Sequence, residues 1–210
     1  MQIAIVLFDQ FTALDAVGPY EVLSRTPGAE TFFVAEHTGP VRNDNASLAL
    51  TADRTLAEVP RPDVVVVPGG PGQTPQMANP VLLDWLRAAD TGSTWTTSVC
   101  TGALLLAKAG LLDGRRATSH WLALDALTGL GAKATGERVV FDGKYVTAAG
   151  VSSGIDMGLA LLGRLTDDRT AQRVQLLMEY DPQPPYDAGS PDKAPADLVT
   201  EFRAHTRHSK

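Results

Sequence analysis

Cys100 is the only cysteine of the 210-residue chain. It stands where the apolar run Trp95-Thr96-Thr97-Ser98-Val99 gives way to the small-residue opening of a helix, Thr101-Gly102-Ala103-Leu104-Leu105-Leu106. A strand feeding straight into a helix is the layout of a nucleophile elbow. The junction residue sits on a sharp turn, beside the unpaired backbone N–H groups of the helix start. Those donors and the positive end of the helix dipole favour a thiolate, so this reading expects Cys100 to be nucleophilic near neutral pH. By residue type alone, a lone cysteine is more often a small buried hydrophobe; its place at the elbow is what points to chemistry. Asp15, just ahead of Gly18-Pro19, is placed either to accept backbone N–H groups at a helix start or to act as an acid. Glu21, further along the same helix, is the rival carboxylate. His120 opens a helix at Ser119-His120-Trp121 downstream of the elbow, where it is an orienting or structural histidine with a role near the site left open. His37, His120, His205 and His208 are scattered, and only the last two are close, in a polar tail, so no metal site is expected.

The elements that must position these residues alternate between strand-like and helix-like runs. Ile3 to Phe8 reads as a buried first strand, followed by a helix around Pro19 to Leu23. Phe32 to Ala35 and Val64 to Val67 read as further strands, the latter so apolar that both its faces must be covered. Pro68-Gly69-Gly70-Pro71-Gly72 ends it abruptly. Pro80 to Ala89 carries helix spacing, and then comes the strand that delivers Cys100. Val139-Val140-Phe141 and Tyr145-Val146-Thr147 flank Asp142-Gly143, a hairpin signal. Gly150-Val151-Ser152-Ser153-Gly154 leads into an apolar helix through Leu162, and Ala171 to Tyr180 repeats the helical spacing. This alternation predicts an α/β fold, a mostly parallel sheet with helices on both faces, whose ligands bind outside the carboxyl ends of the strands. Gly69-Gly70, the Cys100 elbow and Gly150 then meet at one edge, where glycines let backbone N–H groups approach a reacting atom.

Composition narrows the function. The formal charge of -6 argues against a nucleic-acid partner. Gly69-Gly70-Pro71-Gly72 lacks the ending of a phosphate loop, and no G-x-G-x-x-G follows the first strand. A single cysteine allows no intramolecular disulfide, which suits a reducing compartment. The apolar opening has no basic leader and is cut short by Asp9, and no run approaches the ~20 apolar residues of a spanning helix. The expected location is therefore the cytoplasm, with no membrane partner. Residues 1–180 read as one α/β domain, with 181–210 as an extended segment and short helix belonging to it. The proline- and glycine-rich stretch from Asp181 to Pro195 is expected to lie across a homodimer partner, with a Pro195 to His205 helix behind it.

Several segments together resemble the ThiJ/PfpI superfamily (class I glutamine amidotransferase-like). They are Val64 to Gly70, Thr97-Ser98-Val99-Cys100-Thr101-Gly102, Leu14 to Leu23, Gly150 to Asp156, Ala171 to Gln175 and Pro182 to Pro191. The resemblance implies a flavodoxin-like three-layer sandwich and a homodimer. It is strongest to members that add water to an isocyanide, R–N≡C, to give an N-substituted formamide without a metal or organic cofactor. On that resemblance Cys100 attacks the isocyanide carbon to form a thioimidate, and Asp15 acts as the general acid. Thr101 bonds Asp15 or the incoming water, and backbone N–H groups around Gly69, Gly70, Gly150 and Val151 stabilise developing charge. The pocket should be mainly apolar. Members with histidine directly after the nucleophile, or glutamate at the first-helix position, act on peptides or glyoxal-like compounds; here those places hold Thr101 and Asp15. A glyoxalase- or deglycase-like enzyme and a redox- or stress-sensing protein stand as alternatives.

Overall fold

In the computed structural model, which describes residues 1–208 and the side chains of 1–204, the most apolar strand lies mid-sheet. The first half of the chain builds β1 (Gln2–Val6), α1 (Ala13–Leu23), β2 (Glu30–Ala35), β3 (Gly39–Arg42), β4 (Ala49–Ala52), β5 (Arg54–Thr55), β6 (Val64–Val67), α2 (Gln73–Gln76), α3 (Pro80–Gly92) and β7 (Trp95–Val99). The second half adds α4 (Gly102–Lys108), β8 (Arg116–Ala117), α5 (Leu124–Gly129), β9 (Lys133–Ala134), β10 (Val139–Asp142), β11 (Tyr145–Ala148), α6 (Ser153–Leu165), α7 (Asp168–Leu177) and α8 (Ala196–His208). The main sheet runs β10-β11-β7-β6-β1-β2-β5, parallel throughout except for β10 against β11. Its central part, β2-β1-β6-β7-β11, has the flavodoxin-like strand order.

All four valines of β6 are buried, because helices cover both faces of a parallel sheet. Helix α1 packs on α6, and α6 on α7; α2, α3 and α5 gather around α4. The α1–α6 contact is close because glycines face side chains across it. A Cβ on Gly154 would lie 3.0 Å from Pro19 Cδ, and one on Gly158 would lie 3.0 Å from Val22 Cβ. The sheet register then sets the functional edge. Val67 pairs with Ser98 and Val99 with Ala148, so the turns leaving β6, β7 and β11 emerge side by side.

Several details differ from the sequence reading. Helix α1 begins at Ala13 with Pro19 inside it, so Asp15 lies in its first turn. The Gly18-Pro19 pair imitated a start signal, whereas proline here only removes one N–H from a helix already under way. The β3–β4 hairpin went unread because its strands are short and half-exposed rather than apolar. The segment from 181 to 195 contains neither helix nor strand, and α8 starts at Ala196. The side chains of His205 and His208 lie outside the described residues. No helix among the described residues is long and apolar enough to cross a membrane.

Candidate active site

Cys100 has φ +58°, a left-handed conformation that an L-residue adopts at a cost. Its surroundings hold it there. The Cys100 N–H donates to the carbonyls of Ala148 (3.1 Å) and Ala149 (2.8 Å), and Ser119 Oγ donates to the Cys100 carbonyl (2.8 Å). Gly102 is required beside it, since a Cβ there would fall 2.1 Å from the Val67 carbonyl oxygen. The turn therefore aims the sulfur away from the sheet and against the start of α1.

Asp15 meets it from α1. The carboxyl group is fully buried, and Oδ2 accepts the Gly69 N–H at 2.9 Å. The other oxygen, Oδ1, is buried with no protein partner, although the carboxyl and the Cys100 thiol are in hydrogen-bonding contact. Burial is the main cause that pushes Asp15 up to about 7, against smaller lowering effects of the Gly69 N–H and the thiol. The charge of Asp44 raises it slightly further.

The thiol moves in the direction opposite to that expected from the elbow alone. Backbone N–H groups of Thr101 and Val151 reach Sγ and favour the thiolate, as a helix start should. Burial and the neighbouring Asp15 charge outweigh them and push Cys100 up to about 12. Two acids in one dry site cannot both ionise cheaply, so between these limits the pair holds a single proton and a single negative charge. A proton that moves from sulfur to carboxylate turns the resting pair into a thiolate facing a carboxylic acid.

Thr101 and the glycines serve this pair. Thr101 Oγ1 accepts the Gly70 N–H at 3.0 Å, leaving its own hydroxyl proton free to donate. A Cβ on Gly69 would sit 2.5 Å from Thr101 Oγ1 and 3.0 Å from Asp15 Oδ2, so the two side chains crowd the same bare Cα. This corrects the expected role of both glycines as donors to substrate. Their N–H groups are already engaged, Gly69 with Asp15 and Gly70 with Thr101, and the donors that reach the sulfur belong to Thr101 and Val151.

Gly150 lies against the His120 ring, where a Cβ would come within 2.9 Å of Cδ2. His120 Nδ1 accepts the Leu122 N–H (3.3 Å), and burial holds its pKa below the ordinary value. Glu21 pairs with Arg25 at 2.9 Å on the exposed side of α1. Among the described residues no three His, Cys, Asp or Glu side chains gather as metal ligands do.

Two features escaped sequence reasoning. Thr12, the N-cap of α1, does not cap it; its hydroxyl donates across the chain to Asp44 Oδ2 at 2.9 Å, bringing the β3–β4 turn to the site. The other is a cavity of about 610 Å³ lined by Gly150, Val151, Ser119 and Trp121; an aromatic residue at a helix start gives no hint of it.

Comparison with known proteins agrees with this geometry. The chain is 44% identical over 203 residues to the isonitrile hydratase of Pseudomonas putida, covering 97% of this chain and 89% of that one. A crystal structure of a ThiJ/PfpI family protein from Pseudomonas syringae superimposes with a TM-score of 0.95 at 37% identity, over 99% of this chain and 86% of the other. Drosophila melanogaster DJ-1beta, at 22% identity and a TM-score of 0.77 over 85% of this chain and 97% of its own, shares the fold. The DJ-1/PfpI family profile matches residues 1–164, and with a buried cysteine elbow at its centre the chain belongs to the DJ-1/PfpI family.

Proposed function

We propose that this protein is an isocyanide hydratase, adding water to R–N≡C to give an N-substituted formamide. The observation that carries the reading is the Cys100–Asp15 pair: a nucleophile in contact with a carboxyl group raised to about 7, one oxygen of which is buried without a partner. An isocyanide carbon needs that combination. Attack by a nucleophile leaves a carbanion on the same carbon, and only simultaneous protonation makes the addition favourable.

In the first step Sγ bonds to the terminal carbon and the Asp15 proton goes to that carbon, giving the thioimidate R–N=CH–S–Cys100. Asp15, now ionised, takes a proton from water as the water oxygen bonds to the same carbon, and passes it to nitrogen. The tetrahedral adduct then collapses. The C–S bond breaks, the hydroxyl proton returns to the pair, and R–NH–CHO leaves with the enzyme restored. The Thr101 hydroxyl orients Asp15 or the water, and the N–H groups of Thr101 and Val151 stabilise the departing thiolate.

Redox sensing fits the site poorly, because a cysteine only 6% exposed with a thiol pushed up to about 12 offers little thiolate to an oxidant. We also assign the protein to a homodimer. Leu176 and Leu177 at the end of α7 and Tyr186 in the segment beyond it are 81%, 72% and 80% exposed, an apolar surface suited to a second copy. Ala188 to Pro191, with Leu198 and Val199 of α8, lines a cavity of about 150 Å³ beside Trp121. Formamide production from phenyl isocyanide, run beside methylglyoxal consumption, tests the activity. Formamide without dicarbonyl turnover supports the hydratase, and the reverse result replaces it with a glyoxalase.

A further inference from the structure

Thr12 is the N-cap residue of α1, yet its hydroxyl does not cap the helix. A threonine capping that end would accept an N–H of the first turn and stabilise the helix by about 1 kcal/mol. Here the hydroxyl donates to Asp44 Oδ2 at 2.9 Å instead. The carboxylate is held for it, since Asp44 Oδ1 accepts Asn43 Nδ2 at 3.1 Å and the Asn45 N–H at 2.9 Å. Two backbone bonds fasten the end of β3 and this turn to the loop ahead of α1. The Gln10 N–H donates to the Arg42 carbonyl and the Asp44 N–H to the Phe11 carbonyl, each at 2.9 Å. Gln10 has φ +60°, a left-handed conformation that persists only because its neighbours fix it.

The other side of this loop rests on the glycine turn after β6. The Gly72 N–H donates to the Gln10 carbonyl at 3.2 Å, and the Thr12 N–H donates to the Gly69 carbonyl at 2.8 Å. No side chain fits between them: a Cβ on Gly70 would lie 2.5 Å from Thr12 N, and one on Gly72 would lie 1.8 Å from the Asp9 carbonyl oxygen. The Gly69 N–H in turn donates to Asp15 Oδ2 at 2.9 Å. Hydrogen bonds thus run from Asp44 through Thr12 and Gly69 to the buried carboxyl group. Resting on the hydratase reading for their role in turnover, we propose that Thr12 and Asp44 are positioning residues for Asp15. Thr12 clamps the loop that seats the Gly69 donor, and Asp44 sets a negative charge behind it. The titratable groups that act on Asp15 are Cys100 from the elbow and Asp44 from the β3–β4 turn, and the like charge of Asp44 favours the protonated carboxyl.

The first arm of the test follows turnover of an aryl isocyanide. Thr12→Val lowers kcat by about tenfold or more with a much smaller change in KM, the scale of a small misplacement at a reacting centre. Thr12→Ser, which restores the hydroxyl, recovers the rate. An unchanged kcat in folded Thr12→Val, or a serine variant as slow as the valine one, overturns the proposal. The second arm needs no turnover and so stands apart from the hydratase reading. The protonated Asp15 carboxyl is titrated by infrared difference spectroscopy, its band being the one lost in Asp15→Asn. Thr12→Val loosens the Gly69 donor, which acts on Asp15 more strongly than Asp44 does, so the midpoint rises above the wild-type value of about 7. Asp44→Asn still hydrogen-bonds Thr12 but carries no charge, so the midpoint falls below that value. A midpoint that stays put in either folded variant overturns the proposal, and a folding failure in one leaves the other to decide. Absence of formamide from the wild type, with both shifts present, would sink the hydratase reading and leave the clamp standing.

Discussion

Asp15 and Cys100 are two buried acids in contact that share one proton between about 7 and about 12. On the proposed hydratase mechanism the singly protonated pair is the active form, because it supplies both a nucleophile and a proton donor. Below about 7 the carboxylate is protonated as well as the thiol, and no base remains to take the thiol proton. The rate of isocyanide hydration is therefore expected to rise with pH through about 7 and hold a plateau on the alkaline side. A profile that falls with rising pH across neutrality would place the essential acid elsewhere.

Asp15→Asn keeps the shape of the side chain and cannot cycle a proton. It should lower kcat by a factor of ~100 or more, whereas Glu21→Gln, whose wild-type carboxylate pairs with Arg25, should change it little. The variant also removes the charge that raises the thiol, so ultraviolet titration of the thiolate should give a Cys100 pKa below that of the wild type. An equal loss in the two variants would move the acid to neither residue.

The same substitution carries a stability signature. The folded chain binds the Asp15 proton at about 7, against 3.8 for an unperturbed carboxyl. That proton stabilises the fold below about pH 4, and its contribution is lost as the pH rises through about 7. Above neutrality the native protein thus carries a penalty on the order of a few kcal/mol, which Asp15→Asn removes. Its melting temperature should exceed that of the wild type in alkaline buffer, and the difference should vanish in acid. A variant less stable than wild type at alkaline pH would contradict the buried-acid account.

How far such a site is legible in sequence depends on the kind of signal each residue gives. Cys100 was readable because a strand-to-helix junction has a local pattern, and the β6 valines because burial on both faces leaves a continuous apolar run. The parallel sheet followed from those runs. The thiol's pKa was misjudged because local helix donors are visible in sequence, whereas desolvation and the charge of a residue 85 positions away are tertiary facts (100 minus 15). The glycines at 69 and 70 were placed at the right edge with the wrong partners, since sequence cannot say whether an N–H points at substrate or at a neighbouring side chain. Asp44 reaches the site only through long-range packing of the β3–β4 turn.

Gly69→Ala tests the crowding of the two side chains. The added methyl would press on Thr101 N and Oγ1 at 2.5 Å and on Asp15 Oδ2 at 3.0 Å, so it must displace the acid. Activity should fall by at least about tenfold, consistent with the cost of a small misplacement at a reacting centre. Wild-type activity in a variant confirmed to be folded would show that the position of Asp15 does not matter.

Thr101→Val leaves the Gly70 N–H without the oxygen that accepts it at 3.0 Å. An unsatisfied donor at this partly buried position should cost about 1–3 kcal/mol in denaturant unfolding. Thr101→Ser, which retains the hydroxyl, should recover most of that stability and the rate. Failure of serine to restore either would assign the effect to the methyl group.

Assembly is tested by sedimentation. The protein should run at twice its chain mass, and Leu176→Asp with Leu177→Asp should shift it to the monomer by charging a strongly exposed apolar surface. A wild-type monomer would reject the dimer, and an unshifted dimer would move its interface away from α7.

The covalent step is the centre of the account, and acid-quenched intact mass during turnover of an aryl isocyanide tests it most directly. The prediction is a single adduct heavier by the full mass of the isocyanide, mapped to Cys100 and absent from folded, inactive Cys100→Ala. Sustained formamide production by Cys100→Ala would contradict it, because hydration would then proceed without the sulfur.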